Sequence, residues 1–237
     1  MEIKSVASGS SGNCYMVSDG ETKLLLECGI DNKKIQRACK HKLVTFDGCL
    51  ISHEHKDHCK AAKNIARKAI DIYASQGTID NMGFKSHHLK PIKSLESFKI
   101  KTFLITPFDV KHDAAEPLGF FIISTKTDER ILFFTDTSMI KYKFDGVTHL
   151  MAECNYDIET MKESVRIGKT KKFLAKRIIR NHMSLDHVIK YIDGMDKDKL
   201  EQIYLIHLSD NNCDHDLCKQ KIQKLTGTEV YVCEKGR

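Results

Sequence analysis

Short apolar runs broken by Ser, Gly, Asn and Asp clusters fill the first half of the chain, the pattern of strands joined by turns. Glu2 to Val17 and Lys23 to Glu27 read this way. Asp31-Asn32 is placed to cap a short helix through Ile35 and Ala38, and Gly48-Cys49-Leu50-Ile51-Ser52 reads as a buried strand. Beyond it, Cys59, Ala62, Ile65, Ala66 and Ala69 recur at helical spacing with Lys60, Lys63, Arg67 and Lys68 between them, which predicts an amphipathic helix. Ile72-Tyr73-Ala74, Phe98 to Asp109, Leu118 to Thr125 and Arg130 to Phe134 read as strands, with Thr78 the expected cap of a short helix. After Leu150-Met151-Ala152 the pattern turns helical over Asp157 to Val165, Lys171 to Arg180 and Ser184 to Ile192. A strand at Ile203 to Ile206, a helix at Leu217 to Leu225 and a strand at Val230 to Val232 close the series. The alternation, with many short antiparallel-looking links, predicts a layered α/β sandwich with helices outside two sheets, in a single domain spanning residues 1–237.

Composition narrows the class without choosing a function. The chain has 237 residues of which 41% are hydrophobic, enough for a core and against disorder. Its apolar runs are strand-length, far below the roughly 18 to 20 residues that span a bilayer, so no membrane partner is expected. Met1-Glu2-Ile3-Lys4-Ser5 has an early acid and no apolar core of a signal peptide, so a cytoplasmic location is expected. Nine cysteines, an odd number without a CxxC pair, argue against a disulfide framework and against a thiolate zinc site. They are expected to be reduced, mostly buried and chemically quiet. The net charge of +6 leans mildly toward a polyanionic partner.

The chemistry is concentrated in Ile51-Ser52-His53-Glu54-His55-Lys56-Asp57-His58, which places three imidazoles and a carboxylate directly after an apolar strand and before a helix. In extended chain a two-residue spacing projects His53 and His55 to one side, and a turn at Asp57-His58 brings two more donors around a neighbouring point. That geometry suits two metals better than one. A solvated polar loop is the bland alternative, and the strand-to-helix context argues against it.

This HxHxDH pattern resembles the metallo-β-lactamase superfamily, which implies a four-layer αββα sandwich. The resemblance extends along the chain through Val110-Lys111-His112-Asp113, Phe133-Phe134-Thr135-Asp136 and Leu205-Ile206-His207. It implies one divalent ion on His53, His55 and His112, a second on Asp57, His58 and His207, and Asp136 bridging them. Imidazole and carboxylate donors without Cys suit Zn²⁺ or Mn²⁺, and iron fits as well. One departure is Glu27 in Leu25-Leu26-Glu27-Cys28-Gly29, where the superfamily usually has Asp; the resemblance implies that it orients the ligand loop rather than binding metal.

Ala7-Ser8-Gly9-Ser10-Ser11-Gly12-Asn13-Cys14, Glu116-Pro117-Leu118-Gly119-Phe120, Glu153-Cys154-Asn155-Tyr156-Asp157 and His207-Leu208-Ser209-Asp210-Asn211-Asn212 look like the YycJ/WalJ-type branch. Asn181-His182-Met183-Ser184-Leu185 departs from that branch's Gly-His-Leu-Ser-Asn. The branch implies a DNA nuclease with 5′ exonuclease-like action. Asp57, Asp136 and His182 are then the expected catalytic residues: Asp57 orients the nucleophile, Asp136 holds the metal pair, and His182 protonates the leaving oxygen or clamps a phosphate oxygen. A purely structural hydrogen bond is the other reading of His182. Between Thr160 and Asn181 the basic residues far outnumber the one acid, Glu163, and Lys169, Lys172, Lys176 and Arg180 fall on one helical face, while Phe173, Leu174 and Ile178 are expected to pack. Such a stripe suits a phosphate backbone, and a solvated face is the alternative. Ser8 to Asn13 is either an anion-binding loop or a plain strand connection. A small-molecule hydrolase acting on a thioester, lactone or cyclic phosphodiester, and a catalytically silent DNA-binding module, stay open beside the nuclease. The oligomeric state is not legible.

Overall fold

The computed structural model describes residues 1–234, and they fall into two compact units. The first comprises Met1–Asp109 and Ala114–Glu129 with Glu234; the second comprises Val110–Asp113 and Arg130–Cys233.

In the first unit β1 (Glu2–Ala7), β2 (Cys14–Ser18) and β3 (Lys23–Leu26) are antiparallel neighbours. β4 (Gly48–Leu50), β5 (Ile72–Ala74) and β6 (Leu89–Pro91) extend the same six-stranded sheet in parallel. The antiparallel links expected here are therefore crossovers, carried by α1 (Asn32–Ala38), by α2 (Lys56–Cys59) with α3 (Ala62–Ala66), and by α4 (Gln76–Asn81). Leu24, Leu25 and Leu26 are fully buried in succession, because the strand is covered on both faces.

Two local departures from the sequence reading have a visible cause. The helix expected over Cys59 to Ala69 is broken because the Ala61 N–H leaves the helical ladder to donate to Cys28 O at 2.9 Å. Ser75, not Thr78, caps α4: its Oγ accepts from the Thr78 N–H at 3.1 Å.

The rest of the first unit is an antiparallel run of β7 (Phe98–Ile100), β8 (Phe103–Asp109) and β9 (Leu118–Ser124). Asp19, in the turn after β2, ties this run to the first sheet. One of its oxygens accepts from the Glu21 and Thr22 N–H groups at 3.0 and 2.8 Å. The other accepts from the Thr102 and Ser124 hydroxyls at 2.6 and 2.8 Å. Burial alone would raise the Asp19 pKa, but these bonds to the carboxylate outweigh it and hold it down to about 2.

The second unit is built on four parallel strands, β10 (Arg130–Phe134), β11 (His149–Glu153), β12 (Gln202–Ile206) and β13 (Glu229–Val232). α5 (Ile158–Arg166), α6 (Lys172–Asn181) and α7 (Leu185–Asp193) connect β11 to β12, and α8 (His215–Thr226) connects β12 to β13. Asp157, Ser184 and Asp214 cap α5, α7 and α8 through their side chains, and Gly227 at φ 68° ends α8. Parallel pairing sets the carboxyl ends of the strands along one edge: Phe134 lies opposite Ala152, and Glu153 opposite Ile206. Such an edge is where side chains from distant parts of a chain converge. Among the described residues no helix is long and apolar enough to cross a membrane.

Candidate functional site

In the first unit β4 delivers the chain to Ser52 and the histidine motif. Ser52 Oγ lies 2.9 Å from His53 Nδ1, which turns Nε2 toward His55 Nδ1 at 3.0 Å. Asp57 and His58 sit in α2 rather than in a turn, and Asp57 Oδ2 lies 3.5 Å from His58 Nε2. The buried Glu27 carboxylate accepts from the Ser52 N–H at 3.0 Å and faces His58 Nδ1 at 3.4 Å. These contacts tie Glu27 to the histidine loop, and its φ of 63° is a left-handed position.

The glycine-rich loop before β2 serves the same histidines. Gly9 N–H donates to Asn13 Oδ1 at 2.9 Å, and Gly12 N–H to Gly9 O at 2.9 Å. The Asn13 N–H donates to Asp57 O at 2.7 Å, and Asn13 Nδ2 lies 3.3 Å from His58 Nε2. With its Gly9, Gly12 and Asn13 amides engaged in this way, the loop buttresses Asp57 and His58. Gly29 completes the cradle, since a Cβ there would stand 1.6 Å from Asp57 O.

In the second unit His112, Asp136, His182 and His207 gather with a residue the sequence reading did not assign, Glu153. Asp136 follows β10 at φ 44° and His207 follows β12 at φ 53°, both left-handed positions that aim the side chains off the strand ends. Asp136 Oδ2 lies 3.6 Å from His112 Nε2, and its Oδ1 lies 3.4 Å from His207 Nδ1 and accepts from Thr135 Oγ1 at 2.9 Å. His112 Nδ1 donates to Asn181 O at 3.3 Å; a carbonyl only accepts, so the proton is on Nδ1 and the lone pair on Nε2.

Glu153, fully buried at the end of β11, organises this set. Its Oε1 accepts from His182 Nδ1 at 2.5 Å and lies 3.2 Å from His207 Nδ1. Its Oε2 accepts from the Thr137 and Met183 N–H groups at 2.9 and 3.2 Å. Asn155 Nδ2 donates to His207 O at 2.9 Å. Burial opposes the charge on Glu153, yet His182 and these bonds keep its pKa below the usual carboxylate value. Burial pulls His182 down, and the Glu153 charge and bond outweigh it and leave it raised; His112 is lowered, chiefly by burial. In the sequence Glu153 opens a motif, Glu153 to Asp157, that resembles the YycJ/WalJ-type branch, but nothing in the local pattern gave it a role at the site.

The basic stripe is partly redrawn. Lys172, Lys176 and Arg180 are exposed on α6, but Lys169 precedes the helix, separated from it by the extended N-cap Lys171 and by Thr170, which is buried on Ser164 and Asn212. Phe173 and Leu174 are 70% and 41% exposed instead of packed; Ala175 and Ile178 form the inward side with Tyr156 and Met161. Nearby, a cavity of about 600 Å³ is lined by Lys111, Tyr142, Arg180, Met183 and Tyr191 among others.

The family model described as "Beta-lactamase superfamily domain" matches residues 22–208. The chain belongs to the β-lactamase superfamily. Within it the relatives point to the YycJ/WalJ branch. The chain is 28% identical to "Exodeoxyribonuclease YycJ" of Bacillus anthracis, covering 93% of this chain and 87% of that one. It is 32% identical to "Exodeoxyribonuclease WalJ" of Streptococcus pneumoniae, covering 87% of this chain and 81% of that one. Among solved structures, the metallo-β-lactamase fold protein YhfI of Bacillus subtilis superposes with a TM-score of 0.74 at 15% identity, covering 99% of this chain and 97% of the other. The short form of human tRNase Z gives 0.66 at 14% identity, covering 100% and 98%. The α/β metallo-β-lactamase fold is thus the one expected, and the superfamily member is a metal-dependent hydrolase. Its fold and its His/Asp clusters point to divalent metal binding.

Proposed function

We propose that the chain, acting as one domain over residues 1–237, is a dinuclear metal-dependent phosphodiesterase that degrades DNA exonucleolytically from 5′ ends. The observation that carries this reading is how the imidazoles are held. His53, His58 and His112 each have Nδ1 against a protein oxygen, from Ser52, Glu27 and Asn181, which turns Nε2 toward the other donors, His55, Asp57 and Asp136. That is the outer-shell pattern of metal-ligating histidine. The donors are all imidazole nitrogen or carboxylate oxygen, which fits Zn²⁺, Mn²⁺ or iron. One ion would be held by His53, His55 and His112, the other by Asp57, His58 and His207, with Asp136 shared. Bound there, such ions supply Lewis acidity to a phosphoryl oxygen and acidify water.

The protein groups do the rest. Asp57 orients the attacking water, and Asp136 supplies the negative charge that lets two cations share a site. His182, with Nδ1 tied to Glu153, presents its other nitrogen to protonate the leaving oxygen or to clamp a phosphate oxygen. Lys169, Lys172, Lys176 and Arg180 track the DNA backbone, and the exposed Phe173 among them adds an aromatic face. The exodeoxyribonuclease names of the relatives, which match most of the chain, support DNA as substrate.

The test is end-labelled duplex DNA beside a small phosphodiester and a thioester, each with chelator and with Mn²⁺ or Zn²⁺ restored. Metal-dependent release of nucleotides from 5′ ends is expected. Replacing the four basic residues with Gln should weaken DNA binding and reduce the salt slope by roughly 0.7 to 0.9 per lost contact, with little change toward the small phosphodiester. Thioester turnover with no DNA cleavage would overturn the nuclease in favour of a small-molecule hydrolase.

A further inference from the structure

We propose that Cys154, Cys213 and Cys218 form a second kind of metal site, a buried thiolate centre for an ion of the zinc class, separate from the histidine and carboxylate donors. The three residues come from different places in the chain. Cys154 follows β11, Cys213 lies in the loop after β12, and Cys218 is in the first turns of α8. Parallel pairing of β11 with β12 brings them together: Glu153 lies opposite Ile206, and the Cys154 N–H donates to Ile206 O at 3.0 Å. The three sulfurs all lie within 4.8 Å of one another, with Cys213 and Cys218 Sγ 3.0 Å apart. None is in a disulfide, and all are at most 4% exposed.

This spacing fits a metal. Sulfurs bound at about 2.3 Å in a tetrahedral zinc thiolate stand about 3.8 Å apart, so small side-chain shifts would close the trio on one ion. The three thiols are set unequally. Hydrogen bonding to the other two sulfurs and burial raise Cys154; the bond with Cys154 lowers Cys213, but the bond to Cys218 and burial outweigh it and leave Cys213 raised as well; the bonds that Cys218 receives from both bring it down to about 5. One thiol of the trio is thus the ready thiolate, and an ion would draw the protons from the other two.

The fourth ligand is assigned to His215, whose ring is not within 4.8 Å of all three sulfurs and would turn in on binding. It lies three residues before Cys218 on α8, a spacing that shares a helix face, and its Nε2 is buried without a hydrogen-bond partner among the described residues. An ion here would brace the segment carrying Glu153 and Asn155, the residues that hold His182 and His207. The site stands independently of the nuclease reading.

The experiment is a Co²⁺ titration of the full reduced chain without oxygen. Thiolate-bound cobalt gives near-ultraviolet charge-transfer absorption that nitrogen and oxygen sites do not. We expect the band to saturate at one equivalent, to be displaced by Zn²⁺, to disappear in Cys213→Ser and Cys218→Ser, and to persist in His53→Ala. His215→Ala should lower zinc affinity at least tenfold; unchanged affinity would overturn its assignment. Should the serine variants fail to fold, alkylation of the natural chain gives the answer, with Zn²⁺ slowing modification of Cys154, Cys213 and Cys218 but not of the half-exposed Cys39. No charge-transfer band, or alkylation indifferent to zinc, would overturn the site.

Discussion

In the first unit the donor-type residues come from one stretch, His53 to His58, whereas in the second His112, Asp136, Glu153, His182 and His207 are drawn from strand ends and loops far apart in the chain. The two regions hold their side chains by different physics. The first is set by backbone hydrogen bonds from Asn13 and Cys28 to a short loop, and by the absence of a Cβ at Gly29. The second is set by the common edge of parallel strands and by one buried carboxylate that receives several donors. A backbone cradle fails when its shape is changed. A charge-organised cluster fails when its charge is removed.

The largest effect should come from Asp136→Asn, which keeps the shape of the second region and removes its negative charge. On the proposed nuclease reading, DNA hydrolysis should fall about a thousandfold, or about 4 kcal/mol of activation free energy, with an unchanged circular dichroism spectrum. Activity within tenfold of the natural chain would contradict the role given to Asp136. In the first region the matching lesion is steric. Gly29→Ala should destabilise the chain by about 3 kcal/mol in denaturant unfolding, because a Cβ at 1.6 Å from Asp57 O forces the backbone apart. A loss below about 1 kcal/mol would show that the cradle yields.

Glu153→Gln should weaken metal affinity or activity by about 10- to 100-fold, the usual cost of losing a partner of ligating histidines. Isothermal titration with Mn²⁺ reads this directly, and an unaltered affinity would make Glu153 a packing residue. The smallest effect concerns Asp19, a charge in the first unit far from any histidine in sequence. Its folded pKa of about 2 lies below the ordinary value of 3.8, so its contribution is fully present above about pH 4 and is lost as the pH falls through 2. Asp19→Asn should therefore cost about 2 kcal/mol at pH 7, and the difference from the natural chain should vanish near pH 2 in urea unfolding.

The sequence by itself determined whatever is local. The HxHxDH stretch, the strand before it, the caps at Asp157 and Ser184, and His112, Asp136 and His207 following their strands are all visible in runs of a few residues, because periodicity and capping act within one or two turns of chain. Tertiary structure alone decided what depends on register and direction. Glu153 is one carboxylate at the end of a strand until β10, β11 and β12 align in parallel and set His182 and His207 against it. Asn13 belongs to a loop whose purpose is ambiguous until its amide meets Asp57 O. Lys169 keeps helical spacing with Lys172 on paper, but the buried Thr170 and the extended N-cap Lys171 start the helix only after it. The cysteines, scattered and without a CxxC pair, read as inert, and three of them meet because parallel pairing carries Cys154 alongside the loop after β12. Such encounters are absent from the sequence pattern because they are fixed by the order and direction of strands, which hydrophobic periodicity does not encode.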